Sequence, residues 1–170
     1  MILPDHARLM ARYNRWQNDS LYGAADTLND EARLKDRGAF FRSIHETLAH
    51  ILWADRIWLS RFGRCDAPSC KGNETLTLWP DWMALKAERR DMDETLSGWA
   101  SDLGEAALSR ELSWYSGAAG RTMSKPVWML VTHIFNHQTH HRGQVHAMLT
   151  AAGAKPDDTD LFLLGGEEGQ

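Results

Sequence analysis

The chain has 170 residues, 43% hydrophobic and 25% charged, enough to bury a substantial core without disulfides or structural metals. Its formal net charge is -4 with the signs mixed along the chain, which argues against a phosphate backbone as main partner. No stretch approaches the roughly 18 uninterrupted apolar residues of a membrane span, and residues 1–6 lack a secretory pattern. A cytoplasmic protein of one domain over residues 1–170 is expected.

Pro4 and Asp5 open a first helix, since proline suits a first turn and an acid the positive end of the dipole. Leu9, Met10, Tyr13, Trp16 and Tyr22 recur at helical spacing and carry it to about Leu28. A polar stretch, residues 29–38, follows. The second helix runs from about Phe40 to Phe62 and stops at Gly63. Residues 63–77 read as a loop that carries Cys65 and Cys70. A reduced pair is the plain reading of these cysteines, a local disulfide or redox pair the alternative. No second pair exists to complete a structural zinc site.

Trp79, Pro80 and Asp81 open a third helix whose amphipathic stripe is Leu85, Met92, Leu96, Trp99 and Leu103. Residues 112–115 and 121–123 flank a glycine-bounded turn, Gly117 to Gly120, and suggest a small hairpin. Ser124, Lys125 and Pro126 start a fourth helix that continues to Ala152 and ends at Gly153. The tail, residues 155–170, is mostly polar, but Leu161, Phe162, Leu163 and Leu164 are expected to dock on an apolar surface. These elements predict an all-α protein: a four-helix bundle with a long crossover between the third and fourth helices that carries the hairpin.

The fourth helix holds five histidines. Val127, Leu130, Val131, Ile134, Val145, Met148 and Leu149 define its apolar face. At roughly 100° per residue, His141 falls near the centre of that face and His137 within about 50° of it. His140 lies to the side, His133 is marginal and His146 points away. The inward pair is therefore His137 and His141, four residues apart, whose imidazoles can reach one ion. Buried imidazoles without partners cost free energy. A metal ion satisfies both; a hydrogen-bonded pair without metal is the rival reading.

The second helix gives no single answer. Its stronger stripe is Ile44, Leu48, Ile51, Leu59 and Phe62, with Asp55 in the middle; His50 lies on another with Trp53, Ala54 and Ile57. A helix apolar on two sides is buried on both, by the bundle and by a further cover such as a partner subunit. His45, His50 and Asp55 are all candidate third ligands, and spacing does not choose among them.

Four segments together resemble the DinB family: YNRWQN at 13–18, SIHETLAHILWADRIWL at 43–59, NHQTHHRGQ at 136–144 and GAKPDDTDL at 153–161. The resemblance covers nearly the whole chain. It implies a four-helix bundle with a long crossover, commonly dimeric, and a metal triad that falls on His50, His137 and His141. Three neutral histidines leave a divalent ion, zinc or nickel, with an open coordination position. Similar enzymes in the wider superfamily transfer or isomerise small molecules with a low-molecular-weight thiol. The expected function is thus a metal-dependent, thiol-using S-transferase or hydrolase with a small-molecule substrate in a bundle-end pocket.

A homodimer with no nucleic-acid or membrane partner is expected. Asp55, Asn136, His140 and Gln144 are candidates for orienting ligands or substrate. Asp55 reads more readily as the partner of a buried arginine or as the cap of a neighbouring backbone group, and Arg142 as an ion-pair partner. The non-catalytic alternatives are a metal-binding stress-response protein and a metal-stabilised dimeric module.

Overall fold

Each long helix begins where the sequence supplies a start signal. The computed structural model describes residues 1–117 and 119–165. In it α1 spans Pro4–Asp26, with proline at its start and Asp5 in its first turn. Next come a short α2, Asp30–Leu34, then α3, Ile44–Arg61, and α4, Trp82–Asp102. A short α5, Glu105–Leu108, precedes β1, Glu111–Ser116, and β2, Arg121–Pro126, and α6 covers Val127–Ala151. Among the described residues the chain is thus mostly helical, with six α-helices and one two-stranded antiparallel sheet.

The departures from expectation have local causes. The polar stretch after α1 holds α2, because the Asn29 side chain accepts from the Ala32 N–H at 2.9 Å. The second long helix begins at Ile44, not near Phe40. Ser43 caps it, accepting the Glu46 N–H at 3.1 Å and donating to the Glu46 carboxylate at 2.8 Å. Just before it Arg42 sits at φ 63, a conformation incompatible with a continuing helix. Asp81 is likewise a cap, holding the Ala84 N–H at 2.8 Å, so α4 starts one residue later. Gly63 at φ 70 lets the Arg64 N–H reach the Leu59 carbonyl at 2.9 Å, which closes α3.

α1 and α3 each pack against both α4 and α6. Leu21, Ile44, Leu48, Leu52, Leu85, Leu96, Ile134 and Leu149 fill the space between them and are fully buried. Each such side chain stabilises the fold by about 1.5–3 kcal/mol. The connection from α4 to α6 carries α5 and the hairpin, which pairs Trp114 with Met123. Ala118 of the expected turn, and residues 166–170 of the tail, lie outside the described residues. No helix among the described residues is long and apolar enough to cross a membrane.

On the second apolar side of α3 the chain's own loop packs against Trp53, and Trp53 and Ile57 stay half-buried. Trp53 Nε1 donates to the Cys70 carbonyl at 2.9 Å, and the Trp53 ring packs on Gly72. A Cβ at residue 72 would stand 2.9 Å from that ring, so the position takes only glycine without displacement. Cys65 and Cys70 are free thiols, both half-buried.

The tail corrects the sequence expectation. Leu161, Phe162 and Leu163 are 39%, 82% and 47% exposed and do not dock within the chain, whereas Leu164 is half-buried. The preceding residues are held instead by polar contacts to α1. Tyr13 Oη donates to the Thr159 carbonyl at 2.6 Å, Gln17 Nε2 to the Asp158 carbonyl at 2.9 Å, and the Asp157 N–H to Ser20 Oγ at 2.7 Å. Phe162→Ser is therefore expected to change unfolding free energy by less than about 0.5 kcal/mol, and Tyr13→Phe to lower it by about 1 kcal/mol. Urea titration of both variants checks this, and a larger loss from the Phe162 variant would mean that the tail docks after all.

Candidate metal centre

α3 and α6 lie side by side, and each turns imidazoles into the space between them. His137 and His141 are one helical turn apart on α6; His50 faces them from α3. His50 Nε2 is 3.4 Å and His141 Nε2 3.2 Å from His137 Nε2. The three residues each offer one nitrogen, all within 4.8 Å of one another, a group that can hold a metal ion.

The opposite edges of two rings are tied down. His50 Nδ1 lies 3.0 Å from the Gly72 carbonyl, so it carries the proton and donates. His141 Nδ1 lies 2.8 Å from Gln144 Oε1 and donates in the same way. In the neutral rings both Nε2 atoms then present lone pairs, and both face His137 Nε2. One proton on His137 can satisfy only one of them. A cation satisfies all three. Two nitrogens bound about 2.0–2.1 Å from one tetrahedral ion stand about 3.3–3.4 Å apart, close to the observed spacings of 3.2 and 3.4 Å. The donor set and its spacing fit a divalent ion that accepts imidazole nitrogen.

Electrostatics favours the ligand form of each ring. Burial pushes His50 down to about 4, against the Gly72 hydrogen bond and with help from His141. Burial and the neighbouring histidines push His137 down to about 3. His141 is also lowered, by burial first. At neutral pH no proton competes for these nitrogens.

The surroundings are aromatic. Phe41 stacks on His50 at 3.7 Å between centroids and meets His141 edge-on at 5.4 Å. It is placed there by the turn at Arg42, whose left-handed backbone costs on the order of 1 kcal/mol for a non-glycine residue. Trp58 packs edge-to-face with His133 at 5.2 Å, and His133 lies 5.8 Å from His137. A cavity of about 460 Å³ shares Phe41 with the cluster and is lined further by Phe40, Arg42, Glu46, Asn73 and Thr75.

The other candidates divide between the edge of the cluster and other parts of the fold. His45 is buried and its Nε2 donates to the Trp79 carbonyl at 2.8 Å, away from the cluster. Asp55 faces the core, where Arg89 Nη1 and Gln138 Nε2 donate to its two oxygens at 2.6 and 2.5 Å. Gln144 holds His141; His140 is exposed, with its ring 4.9 Å from that of His141; Asn136 is exposed on α6. Arg142 was expected to be an ion-pair partner. It is buried and donates to the Asn14 side-chain oxygen, with carboxylates acting on it only at longer range. Gly72 and Phe41 escaped the sequence reading, because a loop carbonyl and a turn aromatic leave no periodic trace.

Fold and site together define a mostly helical protein with three convergent neutral imidazoles, compatible with metal binding. The chain belongs to the DinB family, whose model matches residues 3–168. It is similar to Protein DinB of Bacillus subtilis (strain 168), at 26% identity over an alignment of 182 positions that covers 95% of each chain. No solved structure matches the chain.

The lowered histidine pKa values set a sign for pH dependence. An unfolded imidazole takes a proton near pH 6.5, but folded His50 does so only near 4 and His137 near 3. Between these limits the unfolded chain binds more protons. The contribution of these two rings to the stability of the metal-free protein therefore falls as pH drops from about 6.5 towards about 4. Urea unfolding across this range is expected to show a shallower slope for His137→Gln than for the wild type. Equal slopes would mean that His137 is not held neutral.

Proposed function

We propose that the chain is a divalent-metal-dependent enzyme, built as a four-helix bundle, in which His50, His137 and His141 hold one ion. The observation that carries this reading is the convergence of three Nε2 atoms, with nearest spacings of 3.2 and 3.4 Å and two Nδ1 atoms fixed from behind. Packing of α1 and of α3 against both α4 and α6 supports the bundle. Zinc and nickel suit an all-imidazole set. When bound, such an ion supplies Lewis acidity and an open coordination position, which acidify a water molecule or a low-molecular-weight thiol.

The chain's own residues do the remainder. The Gly72 carbonyl and Gln144 Oε1 keep the Nδ1 protons of His50 and His141 in place, and with them the direction of each lone pair. Phe41 covers one face of His50 and forms the wall common to the cluster and the adjoining cavity. That cavity has room for a small-molecule substrate, with Arg42, Glu46, Asn73 and Thr75 as polar contacts. The reaction class is S-transfer with a thiol cosubstrate, and hydrolysis is the neighbouring class. The resemblance to the family further implies a homodimer, and the mixed signs of charge along the chain argue against nucleic acid as its partner.

An ion between α3 and α6 would also cross-link them, which favours a stabilising role as second reading. Those helices are already joined by apolar packing and by the Gln138–Asp55 hydrogen bond, so the fold has no need of the link. Metal analysis of the untagged protein by mass spectrometry tests the assignment. About one ion per chain is expected, lost in both His137→Ala and His141→Ala. His50→Ala is expected to stay folded by circular dichroism while turnover disappears. A wild type that takes up neither zinc nor nickel overturns the metalloenzyme reading; an unfolded His50→Ala would give the ion to the fold.

A further inference from the structure

On α6 each proposed ligand is followed at once by a buried polar residue: Gln138 after His137, Arg142 after His141. One residue turns a helix by about 100°, so this second pair occupies the face next to the ligands. From Gln138 Nε2 a hydrogen bond of 2.5 Å runs to Asp55 Oδ1 on α3, the helix that carries His50. Asp55 Oδ2 accepts from Arg89 Nη1 on α4 at 2.6 Å, and Arg89 Nη2 lies 2.9 Å from Asp93 Oδ1. The same Asp93 oxygen accepts from Nδ2 of Asn18 at 2.9 Å and of Asn14 at 3.3 Å, both on α1. Asn14 Oδ1 accepts from Arg142 Nη1, back on α6. The circuit leaves α6 at residue 138, visits α3, α4 and α1, and returns at residue 142. None of its members is more than 5% exposed.

Buried ion pairs contribute little net stability compared with apolar side chains of the same size, so stability alone does not account for the circuit. Its value lies in geometry. An apolar interface tolerates a small slide or rotation of one helix on another, whereas hydrogen bonds of 2.5–2.9 Å lose most of their strength. A metal centre needs its ligands held within about 0.5 Å.

We propose that the buried polar circuit sets the rotation and register of α6 against α3, and that Gln138 and Arg142 are positioning residues for His137 and His141. The inference rests on the metal-centre reading above. Gln138 is the direct link, because its bond to Asp55 joins the two helices that supply all three nitrogens.

Cobalt(II) is the probe, since its visible absorption band reports ligand geometry and its affinity can be measured by competition. Gln138→Met removes the hydrogen bond at nearly constant volume. Gln138→Glu combined with Asp55→Asn exchanges amide and carboxylate across the contact, keeps the net buried charge and leaves an oxygen at residue 55 to accept from Arg89 Nη1. The Met variant is expected to keep its helical circular dichroism, bind cobalt about tenfold more weakly and show an altered band. The exchange variant is expected to recover the wild-type band and affinity. Wild-type band and affinity in the Met variant, with only its melting temperature lowered, would overturn the proposal. So would a folded exchange variant as weak as Gln138→Met. A wild type that binds no cobalt overturns the metal-centre reading and this proposal with it, and is told apart by the failure of the unaltered protein.

Discussion

Arg89 is 2% exposed and lies between two carboxylates, 2.6 Å from Asp55 and 2.9 Å from Asp93, in the middle of four long helices. Burial alone would push its proton off, yet Asp93 and Asp55 reverse that and raise its pKa. Burial raises Asp93 in turn, and lowers Arg142 to about 10. Two cations and two anions thus share one low-dielectric region. Removing Arg89 or either carboxylate leaves an uncompensated buried charge, a loss of about 3–5 kcal/mol. The helices that carry them must meet in one arrangement. The apolar core supplies the driving force for packing, and the charges decide which packing is allowed.

That constraint explains an otherwise wasteful feature of α6. The helix buries Gln138, His141 and Arg142 where leucine would pack at lower cost. A helix with an all-leucine interior could settle in several rotations of similar energy. Here only one rotation joins Gln138 to Asp55 and Arg142 to Asn14, and that rotation also turns His137 and His141 towards His50.

The same helix shows what was legible in the sequence. Rotation per residue is constant in an α-helix, so the apolar residues of α6 located its inner face and the pair His137 and His141 with it. Residue 50 was less accessible. α3 is buried on both sides, and His45 and His50 are both inside. What separates them is the path of the loop after Gly63, which sends the Trp79 carbonyl to His45 and the Gly72 carbonyl to His50. Loop paths have no period. The short helices α2 and α5 escaped for a related reason, since neither spans two turns and neither can display a stripe. The start of α3 was misplaced because Phe40 and Phe41 continue an apolar pattern, whereas Arg42 and Ser43 break the backbone. The leucines of the tail misled in the opposite sense, because hydrophobicity does not compel docking when polar bonds to α1 already hold the residues before them.

The groups behind the imidazoles bear on the chemistry the centre can perform. A carboxylate at Nδ1 would add negative charge and make its ring a stronger donor. The partners here are a backbone carbonyl at His50 and a side-chain amide at His141, both uncharged. Phe41, Trp53 and His133 add aromatic surface around the cluster without adding an anion. Three neutral donors in such surroundings leave the charge of a divalent ion undiminished. An undiminished charge acidifies a bound water or thiol most strongly and attracts an anionic nucleophile. A structural site gains most from ligands that neutralise its ion, as thiolates do. In the proposed reading, the uncharged partners at Gly72 and Gln144 leave the ion's charge to act on a bound nucleophile.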